Sequence, residues 1–271
     1  MKMKILLILL VFIGVQFANS FDFSKWAVKI ETKDLPSGTT YTHTQIESIA
    51  RVVIKNIDYD ANQTVEDFLK VNGKIARQFE RLMLKSKASD IRFLSDGSTI
   101  YDYEVPITGA ILQLLTPEQE VPTLLTQLAC PTCKRAWLEN TPVPEGISLI
   151  PLESELTPQY TGILIDARDI ILKPAMFPRI YNEENKQAYS VNFANLEYLQ
   201  VSGLITYVTA LTDAFNNNLV GINPLRITAL RSVGERKTDI VISNASSKMM
   251  HSSQDNLKLL EHCKVVILIS E

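Results

Sequence analysis

Seven prolines crowd the stretch between Thr116 and Pro158: Pro117, Pro122, Pro131, Pro142, Pro144, Pro151 and Pro158. Proline fixes φ and cannot donate to a hydrogen-bonded ladder, so residues spaced this way cannot form the interior of a helix or a sheet. Residues 117–158 therefore read as a linker with short ordered pieces, separating a first module at 21–116 from a second at 159–271. The fold has to be built on either side of it.

The chain opens MKMKILLILLVFIGVQFANS. Lys2 and Lys4 make a basic start, and Ile5 to Val15 is an apolar run of a signal sequence's length, too short to span a bilayer. Ala18 and Ser20 are small residues at the −3 and −1 positions of a cleavage site, so residues 1–20 are expected to be a signal peptide. No Cys follows the site, which gives no support to a lipid anchor. The later sequence has no apolar run of transmembrane length, and the final one, Val265 to Ile269, suits a strand. The formal net charge is −3 with Lys and Arg scattered, which excludes the basic patch that nucleic acid requires.

In the first module, Trp26 to Thr32 alternates as a half-buried strand does. Thr44 and Glu47 have capping-box spacing before a helix whose apolar face holds Ile46, Ile49, Ala50, Val53 and Ile57. A second helix is expected from Thr64, with Asp67 at the box position and a stripe running through Phe68, Leu69, Phe79, Leu82 and Met83; Gly73 invites a bend. Ser95-Asp-Gly-Ser98 joins two strands, 91–94 and 99–106, as a hairpin. The order β-α-α-β-β predicts a sandwich-like layer of sheet and helices.

The second module reads as a mixed-sheet α/β unit, so the whole chain is of α+β class. Strands are expected at 162–167, 179–181 paired with 187–189, 204–208, 225–230 and 238–243, with Asn244 capping a helix towards Leu260. The continuously apolar 263–269 run predicts a strand buried on both faces, inside its sheet.

Few residues suggest chemistry. Cys130-Pro-Thr-Cys133 admits a small structural disulfide or idle thiols, half of a zinc site, or a redox pair, although no βαβ context supports the last. No cofactor other than such a zinc is expected. Cys263 reads as a buried apolar residue, and His43 and His251 as solvated. Neither a nucleophile elbow nor a Gly-rich phosphate loop is present in the sequence. The acidic pairs Asp58/Asp60 and Glu183/Glu184 read as solvated turn residues. Along strand 162–167 Asp166 and Arg168 share a face, so they pair or reach Lys173 and Arg179. Structural pairing is preferred to catalysis for these four; a ligand wall is the alternative. A buried pair would cost about 3–5 kcal/mol on loss of one partner.

The segment Gly162-Ile-Leu-Ile-Asp-Ala-Arg168, with Leu172-Lys-Pro-Ala175, Pro178-Arg-Ile180 and Tyr189, resembles a recurrent DARGLxLKPAxxPRI-type segment of uncharacterised exported bacterial proteins. Asp169 stands where Gly is usual. Val220 to Pro224, Thr238 to Ser243 and Cys263 to Ile267 fit the same family. Thr64 to Phe68, Ser95-Asp-Gly97 and Tyr103 to Pro106 resemble, more weakly, the envelope-lipoprotein family that includes flagellar FlgP, and the N-terminal domain of flagellar FlgT. These resemblances imply a periplasmic or outer-envelope protein without a catalytic site. The expected role is a non-enzymatic scaffold or adaptor, contacting envelope or flagellar-basal proteins or itself. The alternatives are an enzyme or ligand-binding protein with a cleft between the modules, and a metal- or redox-responsive Cys130/Cys133 protein.

Overall fold

A computed structural model describes residues 19–34, 41–138, 141–153 and 158–270. Most of the expected leader, including Ile5 to Val15 and Ala18, lies outside them. Strand β1 (Ser20–Asp22) turns back onto β2 (Ala27–Asp34), with the Asp22 carboxylate accepting from the Ser24 N–H at 2.8 Å. Helix α1 (His43–Lys55) is capped two residues earlier than the spacing at Thr44 suggests. The Thr42 hydroxyl accepts from the Gln45 N–H, and the Gln45 side chain accepts from Thr42. Gln serves at this box position as well as Glu. This start lets Ile46, Ala50 and Ile54 be buried together.

Helix α2 (Val65–Val71) does use the Thr64–Asp67 box, and the chain breaks at Asn72 before α3 (Gly73–Arg81). Because α3 stops at Arg81, the expected stripe ends there. Met83 is 81 % exposed, and Leu84 takes the buried place instead. Strands β3 (Lys87–Phe93) and β4 (Thr99–Pro106) form the hairpin, with Gly97 at φ 79° in its turn. The sheet order is β1-β2-β4-β3, antiparallel throughout. Helix α4 (Ala110–Leu115) buries Ile111, Leu112 and Leu115, and six residues are too few to show a helical stripe in the sequence.

Within the proline-rich stretch, β5 (Leu128–Ala129) pairs with β6 (Ile150–Pro151), while residues 139–140 and 154–157 lie outside the described residues. Next come β7 (Ile163–Asp166), β8 (Ile180–Tyr181), β9 (Gln187–Tyr189), α5 (Leu196–Ser202) and β10 (Thr206–Val208). They are followed by α6 (Leu211–Phe215), β11 (Leu225–Thr228), β12 (Arg231–Val233) and β13 (Asp239–Val241). Helices α7 (Asn244–Met250) and α8 (Gln254–Glu261) precede β14 (Val265–Leu268). Asn244 opens α7 rather than capping it. Ser243 is the cap, and Ser253 caps α8 after a break that the sequence pattern did not show.

Two sheets result: a parallel one ordered β10-β14-β7-β11, and a mixed one ordered β12-β13-β8-β9. As its apolar run predicts, β14 lies inside its sheet, buried at every position. The fold is α+β. One continuous apolar core runs from Trp26 through Tyr59 and Phe177 to Ile267, beneath the antiparallel sheet and the parallel sheet alike. Backbone bonds cross it as well: Met176 N–H donates to Asp58 C=O at 2.9 Å, Phe177 to Tyr59 at 2.8 Å, and Gly109 to Gln200 at 2.8 Å. Among the described residues no helix is long and apolar enough to cross a membrane.

Candidate functional site

Strand β7 ends at Asp166, so Arg168 lies in the turn beyond it rather than on the same strand face. The guanidinium curls back and grips Asp166 with two bonds, Nε–H to Oδ1 at 2.9 Å and Nη2–H to Oδ2 at 2.6 Å. These bonds hold the Asp166 carboxyl below its ordinary range, against a smaller opposing effect of burial. The pair is not buried, with side chains 47 % and 38 % exposed for Arg168 and Asp166. The cost reasoned for a buried pair does not apply, because water screens both charges. Asp166→Ala is expected to lower stability by less than about 1 kcal/mol, read from the urea midpoint; a loss of several kcal/mol would contradict this surface assignment.

Lys173 and Arg179 do not join that pair. Lys173 lines a groove of about 770 Å³ between α1 and the turn before β8, with Phe21, Phe23, Val52, Asp58 and Arg236. Asp58 is the residue whose role the sequence hid. It looks like a solvated turn acid, yet its carboxylate takes both Nε and Nη2 of Arg236 while its carbonyl receives Met176. Only its partner, 178 residues away in the chain, reveals the role. Glu183 is likewise engaged, its carboxylate accepting the Asn244 N–H at 2.8 Å at the start of α7.

Arg179 lines a different, narrower cleft of about 280 Å³ with Asp60, Glu118, Glu120 and Gln187. Its guanidinium bonds Tyr181, and its backbone N–H donates to Asp239 Oδ1 at 2.9 Å. Asp239 is buried, and burial raises its carboxyl to about 6 despite the Arg179 N–H and charge, which act the other way. The four residues singled out from sequence thus occupy three places.

His251 is fully buried, contrary to the solvated reading. Its Nδ1 accepts the Leu125 N–H at 2.8 Å, and its Nε2 lies 2.8 Å from the Ala188 carbonyl. An accepting Nδ1 leaves the proton on Nε2, so the neutral ring staples the proline-rich segment to β9. Burial lowers its pKa to about 4. Cys263 is buried as expected, and burial pushes its thiol up to about 12, so at neutral pH it is not a nucleophile.

Cys130 and Cys133 both carry free thiols on a tight turn, Cys133 exposed and Cys130 partly so. The backbone N–H groups of Cys133 and Thr132, with the Cys133 side chain, draw the Cys130 thiol below its ordinary range. Among the described residues no group of three or more His, Cys, Asp or Glu side chains is arranged to hold a metal ion.

The parallel and mixed sheets, with the helices between them, occupy the region that comparison with known families picks out. Residues 162–271 match the bacterial family described as Treponema pallidum Tp0624, second domain. This match begins at Gly162, just before β7, and takes in β7 to β14, so Asp166, Arg168, Lys173, Arg179, Asp239 and His251 all lie within it, whereas the Cys130 turn does not. No curated protein matches the chain.

Proposed function

We propose that this is an exported, non-enzymatic protein of the bacterial cell envelope that serves as a scaffold or adaptor, recruiting its partner along an open sheet edge. The observation that carries this reading is β3. It is the outer strand of its sheet, all seven residues are exposed, and Phe93 is 82 % exposed. An outer strand with exposed apolar side chains is a template for another strand, and a partner pairing here would displace the Asp90 carboxylate from the Ile91 N–H, which it accepts at 2.9 Å. Its arginine does not guard it. Arg92 is tied inward to Glu31 at 2.7 Å and Asp102 at 3.0 Å. The weaker resemblance of this part to the FlgP-type lipoproteins and the FlgT N-terminal domain points to envelope or flagellar-basal proteins, or a second copy, as the partner.

Ile91→Lys with Phe93→Lys is the test. Both side chains are exposed, so stability should change by no more than about 0.5 kcal/mol. Partner retention from envelope extract, and self-association in size-exclusion chromatography at rising concentration, should both disappear. A native chain that stays monomeric and retains nothing would defeat the proposal.

A second reading draws on the groove of about 770 Å³, whose apolar wall of Phe21, Phe23, Ile49 and Val52 meets the cation Lys173, while Arg236 there is held by Asp58. That combination suits an amphipathic anion. An alkyl carboxylate should then raise the melting temperature of the native protein but not of Lys173→Glu.

A further inference from the structure

The backbone of β3 fixes which of its groups face the open side of the sheet. The Leu94 N–H donates to the Ser98 carbonyl at 2.9 Å, towards β4. Backbone groups alternate in direction along an antiparallel strand, so those of Arg92 and Asp90 also turn to β4, while those of Phe93 and Ile91 turn outward. The Ile91 N–H accordingly goes to the neighbouring Asp90 carboxylate, at 2.9 Å. Any strand that pairs here takes that N–H and leaves Asp90 without its donor. The occupant that suits this edge has to supply another.

A second copy of β3 does so. A twofold axis sets identical strands antiparallel, and near the middle of β3 it can pass through Asp90, Ile91 or Arg92. Through Asp90 it opposes two carboxylates and through Arg92 two guanidinium groups, and both repel. Through Ile91, each Asp90 faces the Arg92 of the other copy. The hydrogen-bond phase agrees. Ile91 then bonds its own copy through its outward N–H and carbonyl, so Asp90 and Arg92 fall at non-hydrogen-bonded positions, where opposed Cα atoms come within about 4.5 Å and side chains are closest. The Arg92 Nη2 is taken by Glu31 and Asp102, whereas its Nε lies 4.0 Å from the Asp90 carboxylate of its own chain and can turn to the incoming one. On the opposite face, exposed Ile91 meets its copy and exposed Phe93 lies diagonal to it. We propose that β3 pairs with β3 of a second copy, antiparallel about Ile91, joining two four-stranded sheets into one. This names the partner of the open edge, and it rests on that edge being a recruiting surface.

Sedimentation equilibrium of the purified chain at rising concentration should show a reversible monomer–dimer equilibrium. Asp90→Lys opposes cations twice and should weaken the dimer by about tenfold or more, and Arg92→Glu should do the same with anions. An equimolar mixture of the two variants should dimerise, because each new charge then faces its opposite. A second readout does not depend on Arg92→Glu folding. In a chain carrying Cys130→Ser and Cys133→Ser, Ile91→Cys should cross-link to its copy under mild oxidation, since the two Cα atoms lie about 5.5 Å apart, and Lys87→Cys should not. Equal dimerisation by Asp90→Lys and the native chain, or equal cross-linking at the two cysteine positions, overturns the proposal. So does a native chain that stays monomeric. If that monomer still retains an envelope protein and loses it with Ile91→Lys and Phe93→Lys, the open-edge reading stands without a second copy; if it retains nothing, both fall.

Discussion

Gly203→Ala is expected to lower stability by about 3–5 kcal/mol, summing a glycine-only backbone and an overpacked core. Gly203 ends α5 at φ 75° and ψ 176°, a conformation that side chains other than glycine's rarely adopt. A Cβ there would also fall within the indole ring of Trp26. The ring has no room to yield. It is buried, its Nε1–H donates to the Ile205 carbonyl at 3.2 Å, and Phe21 and Phe23 pack edge-on against it. In a chain of this size the loss should appear as a fall of roughly 10 °C in melting temperature. Gly97→Ala separates the two causes. Gly97 also has positive φ, at 79°, but a Cβ there meets nothing within 4 Å, so only the backbone cost of about 1 kcal/mol remains. Equal losses at the two glycines would show that the indole contact contributes nothing.

Two buried groups should give opposite pH slopes that conceal each other. His251 is held at about 4 against an ordinary 6.5, so its contribution is complete above pH 6.5 and is lost as pH falls through 4. Asp239 is held at about 6 against 3.8, so its contribution is complete below pH 3.8 and is lost as pH rises through 6. Each swing is about 3 kcal/mol, and the two nearly cancel between pH 4 and 6. Asp239→Asn keeps an acceptor for the Arg179 N–H and exposes the histidine slope, so its stability should rise by about 3 kcal/mol across that window. His251→Gln exposes the carboxylate slope and should fall by a similar amount. Urea midpoints measured at several pH values check both, and parallel profiles for the two variants would refute the pairing.

Local patterning showed where most strands lie. Alternation marked β2, the unbroken apolar run placed β14 inside its sheet, and the turn between β3 and β4 announced its hairpin. The Thr64–Asp67 box of α2 was legible in place, whereas the caps of α1 and α7 were legible in kind but displaced in position. Thr42 with Gln45 and Ser243 cap as well as their neighbours Thr44 with Glu47 and Asn244 could, and only packing decides among them. What stayed hidden was long-range. β1 is three residues with no pattern of its own, and it exists because β2 pairs with it. His251 ends a Ser-rich helix that looks polar, yet its ring is enclosed because the proline-rich segment comes to it from Leu125. Asp58 and Arg236 were ordinary charges until folding joined them. The Asp166–Arg168 pair was legible as a pair, but its exposure was not, because strand length fixes it and strand ends are poorly marked in sequence.

The position of β14 governs when the parallel sheet can close. This strand separates β7 from β10, so neither half of the parallel ladder can bond to the other before residues 265–268 arrive. Until then β7 can pair with β11 and the two other large sheets can form, but β10 has no strand to lie against, so the parallel sheet is completed only when β14 is in place.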